Sequence, residues 1–111
     1  MSKVKVPVRH QEAEVRVKNF DEVCLGYNKE EAIQEASRCL ECKKPRCVTG
    51  CPVEINIPGF IGKLKEGDIE GAAKVIAKDS SLPAVCGRVC PQENQCEGVC
   101  VLGIKSDAVA I

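Results

Sequence analysis

Nine cysteines carry most of the chemical potential of this 111-residue chain, and apart from Cys24 they fall in two bursts. The first is C-x2-C-x4-C-x3-C-P, formed by Cys39, Cys42, Cys47, Cys51 and Pro52. The second is C-x3-C-P-x4-C-x3-C, formed by Cys86, Cys90, Pro91, Cys96 and Cys100. Thiolates are nucleophiles and metal ligands. A C-x2-C pair lets two of them converge on one metal centre from a single turn, and a third cysteine a few residues on closes the site from an adjoining loop.

Whether such thiols are bridged or metal-bound follows from redox compartment. Nine is an odd number, and the start MSKVKVPVRHQE has no apolar segment of a secretory signal. No run approaches the roughly 20 apolar residues of a membrane span. A cytoplasmic location with reduced thiols is therefore expected, which favours metal over a disulfide framework.

The fourth cysteine of the first burst is hard to place locally. In two-cluster bacterial ferredoxins the cysteine before proline crosses to the other cluster, and Cys51-Pro52 occupies that place. By this logic Cys39, Cys42 and Cys47 hold one [4Fe-4S] cube and take a fourth ligand from the second burst, while Cys51 serves a second cube. Zinc also accepts four thiolates, but its sites usually pair two C-x2-C knuckles, and only Cys39-Leu40-Glu41-Cys42 has that form. A zinc-stabilised interaction domain without a redox role stands as the alternative.

The elements that must position these residues are short. Residues 1–26 read as an irregular or partly extended N-terminal arm, with Pro7 interrupting any central strand. Residues 27–111 form the domain proper. Asn28 caps a first helix whose buried face is read as Ala32, Ala36, Cys39 and Leu40. Pro58 opens a helix that Gly67 ends, and Asp68 caps a second with Ile69, Ala72, Ala73 and Ile76 as its apolar stripe. This hairpin spaces and covers the two bursts. Pro83 starts a further short helix reaching Cys86 and ending at Gly87.

Composition narrows the function classes. Sixteen Lys and Arg balance sixteen Asp and Glu, so the basic excess that nucleic acid attracts is missing. Phe20, Phe60 and Tyr27 are the only aromatics. Large side chains are therefore scarce, and a bound group is expected to help fill the interior.

Together, EVCLGYNKEEAIQEASRCLECKKPRCVTGCPVEINIPGFI and LPAVCGRVCPQENQCEGVCVLGIKSDAVAI closely resemble the N-terminal iron-sulfur domain of the glutamate synthase small-subunit family. That domain type is shared with NADPH-dependent ferredoxin oxidoreductase subunits and the N-terminal part of dihydropyrimidine dehydrogenase. The likeness runs from about Val15 to Ile111 with the cysteine spacings in register. It implies an all-α, alpha-helical ferredoxin-like domain with two [4Fe-4S] clusters, packed against a flavin and NADPH-binding module of the same parent chain. Electrons would pass from NADPH through FAD and the clusters to a redox partner subunit.

Carried onto this sequence, the family's ligand pattern implies Cys39, Cys42, Cys47 and Cys100 for one cluster and Cys51, Cys90 and Cys96 for the other. Cys86 matches a cysteine not counted as a ligand, and its side chain is expected to face the core. The remaining ligand is a Glu or Gln a few residues past AVAI, so position 111 is expected to be an artificial boundary. FAD and NADPH would belong only to the downstream module, since no G-x-G-x-x-G occurs here.

Other polar residues have plainer readings. Lys43, Lys44, Arg46 and Arg88 flank the cysteines, where positive charge offsets the negative charge of thiolate clusters, or are simply solvated. His10 reads as a surface residue and Cys24 as a buried or semi-exposed thiol outside the ligand set. No nucleophile is paired with a histidine, so catalysis by side chains finds no support.

Overall fold

The computed structural model describes residues 2–111, and its chain begins with an arm that doubles back on itself. Strand β1 (Arg9–His10), a helical turn α1 (Ala13–Arg16) and strand β2 (Cys24–Gly26) form it. β1 pairs antiparallel with β2, Arg9 opposite Gly26 and His10 opposite Cys24, with an irregularity between. Gly26 has φ 71°, the left-handed region that glycine enters without a Cβ clash. The Tyr27 hydroxyl donates to the Val6 carbonyl at 2.6 Å and holds the arm to the domain.

Helix α2 (Lys29–Ala36) starts where Asn28 Oδ1 accepts the Glu31 amide at 2.8 Å, the expected cap. Its buried face differs from the sequence reading. Glu35 and Ala36 are buried, whereas Leu40 lies beyond the helix and is exposed. The helix stops at Ala36, and Arg38 and Cys39 continue in tighter turns whose amides reach Glu35 and Ala36 carbonyls. A periodicity extended through Leu40 therefore overran the helix.

A five-residue helix, α3 (Arg46–Gly50), lies inside the first cysteine burst. It is followed by α4 (Ile57–Lys65) and α5 (Ile69–Ala77), the expected hairpin, which pack on each other while α4 also packs on α2. Asn56 caps α4 through the Gly59 amide at 3.0 Å, and Asp68 caps α5 through the Gly71 amide at 2.8 Å. Gly67 at φ 81° ends α4 as expected. The stripe of α5 is rotated from the expected one. Ala72 is buried and Val75 and Ile76 pack beside it, but Ile69 and Ala73 are exposed.

Helix α6 (Pro83–Val89) runs through Gly87 rather than ending there. Cys90 precedes Pro91, and a residue before proline is pushed out of the α region. That proline, not the glycine, stops the helix. Three 3-10 turns, Gln92–Asn94, Glu97–Val99 and Val101–Ile104, complete the second burst. The regular structure of the described residues is thus helical apart from one short two-stranded sheet, with loops between.

The core is small: Ala36, Ile57, Phe60, Ile61, Ala72 and Val109. Burying Phe60 contributes about 1.5–3 kcal/mol relative to leaving it exposed. Half-buried Cys39, Cys47, Cys51, Cys96 and Cys100 pack directly against this cluster. The core and the cysteine region are one continuous interior. No helix among the described residues is long and apolar enough to cross a membrane.

Candidate metal centre

Between α2 and α3 the chain must turn sharply to bring Cys39, Cys42 and Cys47 to one side. Glu41 adopts φ 50°, a left-handed conformation rare for a residue with a Cβ. There its amide donates to Cys39 Sγ at 3.5 Å. Pro45 then leads into α3, whose first turn carries Cys47.

Cys100, some fifty residues further on, joins this group. Cys39, Cys42, Cys47 and Cys100 all border one recess, part of it open to solvent. Its remaining wall is mostly apolar: Ile57, Pro58 and Ile61 of α4, with Leu102, Val109 and Ile111. Among the described residues, no three Cys, His, Asp or Glu side chains are gathered as the ligands of a single ion must be. The four thiols line the recess from different parts of the chain. A polynuclear group with sulfur ligands around its periphery suits that arrangement.

The approach of α3 to the second burst is close. A Cβ at Gly50 would lie 2.7 Å from both the Gln95 carbonyl oxygen and Val99 Cγ2. Only glycine lets α3, with Cys47 on it and Cys51 at its end, sit this near the loop bearing Cys96 and Cys100.

Cys51 stands apart from the recess, beside Cys90 and Cys96. Each of those two thiols is raised first by desolvation, and the nearby Cys51 raises both further. Cys86 and Cys90 lie one helical turn apart, the Cys90 amide donating to the Cys86 carbonyl at 3.0 Å. The Cys86 thiol lies close enough to lift the Cys90 thiol further, after desolvation. Cys86 therefore faces Cys90 rather than the core, a correction to the sequence reading. An i, i+4 spacing on a helix puts two side chains on one face.

Burial favours the neutral form of two recess thiols when no metal is bound. Burial raises Cys39, partly offset by the Glu41 amide, and pushes Cys47 up to about 11. The Cys100, Cys39 and Cys42 thiols add smaller upward contributions at Cys47. Metal binding must release these protons, because the ligand is the thiolate. The donor set fits an iron-sulfur cluster: four thiols, a dry wall, and an N–H directed at a sulfur.

The remaining sequence candidates scatter. Arg46 borders the recess, whereas Lys43 and Lys44 are exposed and form no ion pair among the described residues. Arg88 pairs with Glu22 at 2.6 Å and ties α6 to the arm. His10 is exposed, as expected. Cys24 is exposed too, not buried or semi-exposed. It sits on the exposed strand β2.

Sequence reasoning missed the most buried charged pair. Glu35 and Arg38 are 2% and 3% exposed and joined at 2.6 Å. Arg38 also donates to the carbonyls of Ser2, Lys3, Asp107 and Ala108. Glu35 accepts the amides of Val6 at 2.9 Å and Ala110 at 3.0 Å. Their i, i+3 spacing was the available signal, but on a helix surface that spacing ordinarily reads as a solvated pair.

Residues 16–111 match the family described as dihydropyrimidine dehydrogenase domain II, 4Fe-4S cluster. The glutamate synthase [NADPH] small chain of Halomonas elongata is 43% identical over 99 residues, which are 89% of this chain and 21% of that protein. The putative oxidoreductase UacF of Escherichia coli is 42% identical over 100 residues, covering 89% of this chain and 16% of its own length. The NAD-dependent dihydropyrimidine dehydrogenase subunit PreT homolog of Salmonella typhi is 40% identical over 81 residues, 73% of this chain and 20% of that protein. The chain thus spans about a fifth of the length of the curated relatives it matches. With cysteines from both bursts gathered on one interior and a family match over most of its length, the chain belongs to the dihydropyrimidine dehydrogenase domain II family of 4Fe-4S cluster domains.

Proposed function

We propose that this domain relays electrons inside a cytoplasmic NADPH-dependent oxidoreductase similar to glutamate synthase, using two [4Fe-4S] clusters. Cys39, Cys42, Cys47 and Cys100 would hold one. Cys51, Cys90 and Cys96 would hold the other, with a Glu or Gln further along the parent polypeptide as its fourth ligand. Its partners would be a flavin and NADPH module of the same parent chain and a separate redox subunit. The isolated domain would not turn over by itself.

The observation that supports this reading best is the recess bordered by thiols from both bursts. When bound, such a cluster supplies reversible one-electron chemistry at a potential set by its surroundings. The chain's own residues set those surroundings. Ile57, Ile61 and Val109 exclude water, the Glu41 amide draws charge off Cys39 Sγ, and Arg46 adds positive charge at the rim.

Anaerobic reconstitution with iron and sulfide, followed by iron counting and EPR, tests the proposal. One full [4Fe-4S] signal is expected, with a second, labile or three-iron centre held by Cys51, Cys90 and Cys96 alone. Colourless protein holding stoichiometric zinc would overturn it.

A further inference from the structure

Arg38 directly precedes Cys39, and its guanidinium reaches away from the recess to a stretch of chain distant in sequence. It donates to the carbonyls of Asp107 and Ala108, the latter at 3.2 Å, while its partner Glu35 accepts the Ala110 amide at 3.0 Å. These backbone groups flank Val109 on both sides. Val109 is 3% exposed, belongs to the core and lines the recess, as does Ile111. Residues 107–111 are not in a helix or strand. Buried polar groups of such a segment need partners from elsewhere, and here one ion pair serves the Asp107 and Ala108 carbonyls and the Ala110 amide.

The same pair holds the opposite side. Glu35 accepts the Val6 amide and Arg38 donates to the Ser2 carbonyl, while Lys5 Nζ reaches Glu97 at 2.8 Å and the Lys5 amide reaches Asp107 Oδ2 at 3.0 Å. A planar guanidinium with five donors can serve several carbonyls at once, which an ammonium on a flexible stem does not reproduce. Such a pair is weak evidence for stability as such, because both charges had to be desolvated. Its geometry suggests a specific task.

We propose that Glu35 and Arg38 are positioning residues for the Cys39, Cys42, Cys47 and Cys100 site: they lock residues 107–111 over the recess and so keep water from the group held there. The inference rests on the cluster assignment proposed above. Outer partners that orient a metal site typically change affinity by about 10–100-fold when removed. Loss of the pair therefore accelerates iron loss from this site by that order and leaves the Cys51, Cys90 and Cys96 site unchanged.

The test uses the whole reconstituted chain with Glu35→Gln, Arg38→Lys and Val109→Ala, and Val89→Ala as a control on an exposed position. Iron release to a chelator is followed anaerobically, the phase belonging to the first site being assigned by its absence in Cys42→Ser. Amide exchange at Ala110 reports whether the segment is locked. The expected result is about 10–100-fold faster release of that phase alone in Glu35→Gln and Arg38→Lys, with Ala110 exchanging faster. The EPR potential of the same site shifts, and that of the other site does not. Should Arg38→Lys fail to fold, Glu35→Gln and Val109→Ala carry the comparison, and Val109→Ala opens the cover without touching the pair. Release unchanged, or accelerated equally at both sites, overturns the positioning role. Wild-type chain that takes up no cluster while Ala110 stays protected overturns the cluster assignment itself, and the inference with it.

Discussion

Replacing Gly50 with alanine sets two opposed effects against each other. Alanine in place of glycine within a helix gains about 0.5–1 kcal/mol from backbone entropy. At Gly50 the added Cβ would meet the Gln95 carbonyl oxygen and Val99 Cγ2 at 2.7 Å, where ordinary contact begins near 3.4 Å. The helix α3 must therefore withdraw by about 0.7 Å, the difference 3.4 − 2.7, and overpacking of this kind costs about 1–3 kcal/mol. The clash wins by about 1 kcal/mol, taking the middle of each range. Gly62, inside α4, has nothing within 4 Å of its Cβ position. Gly62→Ala keeps the gain of about 0.5–1 kcal/mol unopposed.

The two variants then differ by roughly 2 kcal/mol, or about 8 °C in melting temperature for a domain of this size. Anaerobic thermal unfolding of reconstituted protein measures the difference, and iron content reports the function. Gly50→Ala should melt lower than wild type and lose iron, because the withdrawal separates Cys47 and Cys51 from the turn bearing Cys96 and Cys100. Gly62→Ala should melt higher with iron intact. Equal melting temperatures, or a Gly50→Ala protein that outlasts wild type, would show that α3 does not dock on that loop.

Other expectations concern single thiols and one phenol. Cys100→Ser should abolish the EPR signal of the cluster assigned to Cys39, Cys42 and Cys47 while the other persists, and loss of only the other signal would reject the crossed assignment. Cys86→Ser should retain full iron content, since Cys86 is not assigned as a ligand, and loss of half the iron would make it one. In metal-free protein at pH 8, iodoacetamide should modify exposed Cys24 before Cys47, whose half-buried thiol is pushed up to about 11. Peptide mass mapping with Cys47 modified first would contradict the described burial. Tyr27 is raised from 10.0 to about 12, chiefly by burial. Its folded-state value lies above the unfolded one, so its contribution is complete below pH 10 and is lost as pH rises from 10 to about 12. Denaturant midpoints should fall across that window in wild type and fall less in Tyr27→Phe.

What the sequence disclosed was mostly local. Asn28 and Asp68 announced their helices because a side-chain oxygen answering a free amide is a short-range arrangement, and Gly67 marked its turn for the same reason. Asn56 did the same work without being noticed beside Pro58. Helix α3 is a single turn and a half between two prolines, too short to show a period. The cysteine bursts were legible from spacing alone. That thiols from both bursts border one recess is a tertiary fact, set by the fit of Gly50 against Gln95 and of Val109 over α4. Glu35 and Arg38 were illegible because their partners are backbone groups at the two far ends of the chain. No window of sequence contains both.

Those far ends meet. The Asp107 amide donates to the Lys3 carbonyl at 2.9 Å, so a polypeptide entering at residue 3 and leaving at residue 107 passes twice through nearly the same place. A pull on either stretch is therefore passed at once to the other, and through Val109 to the wall of the recess.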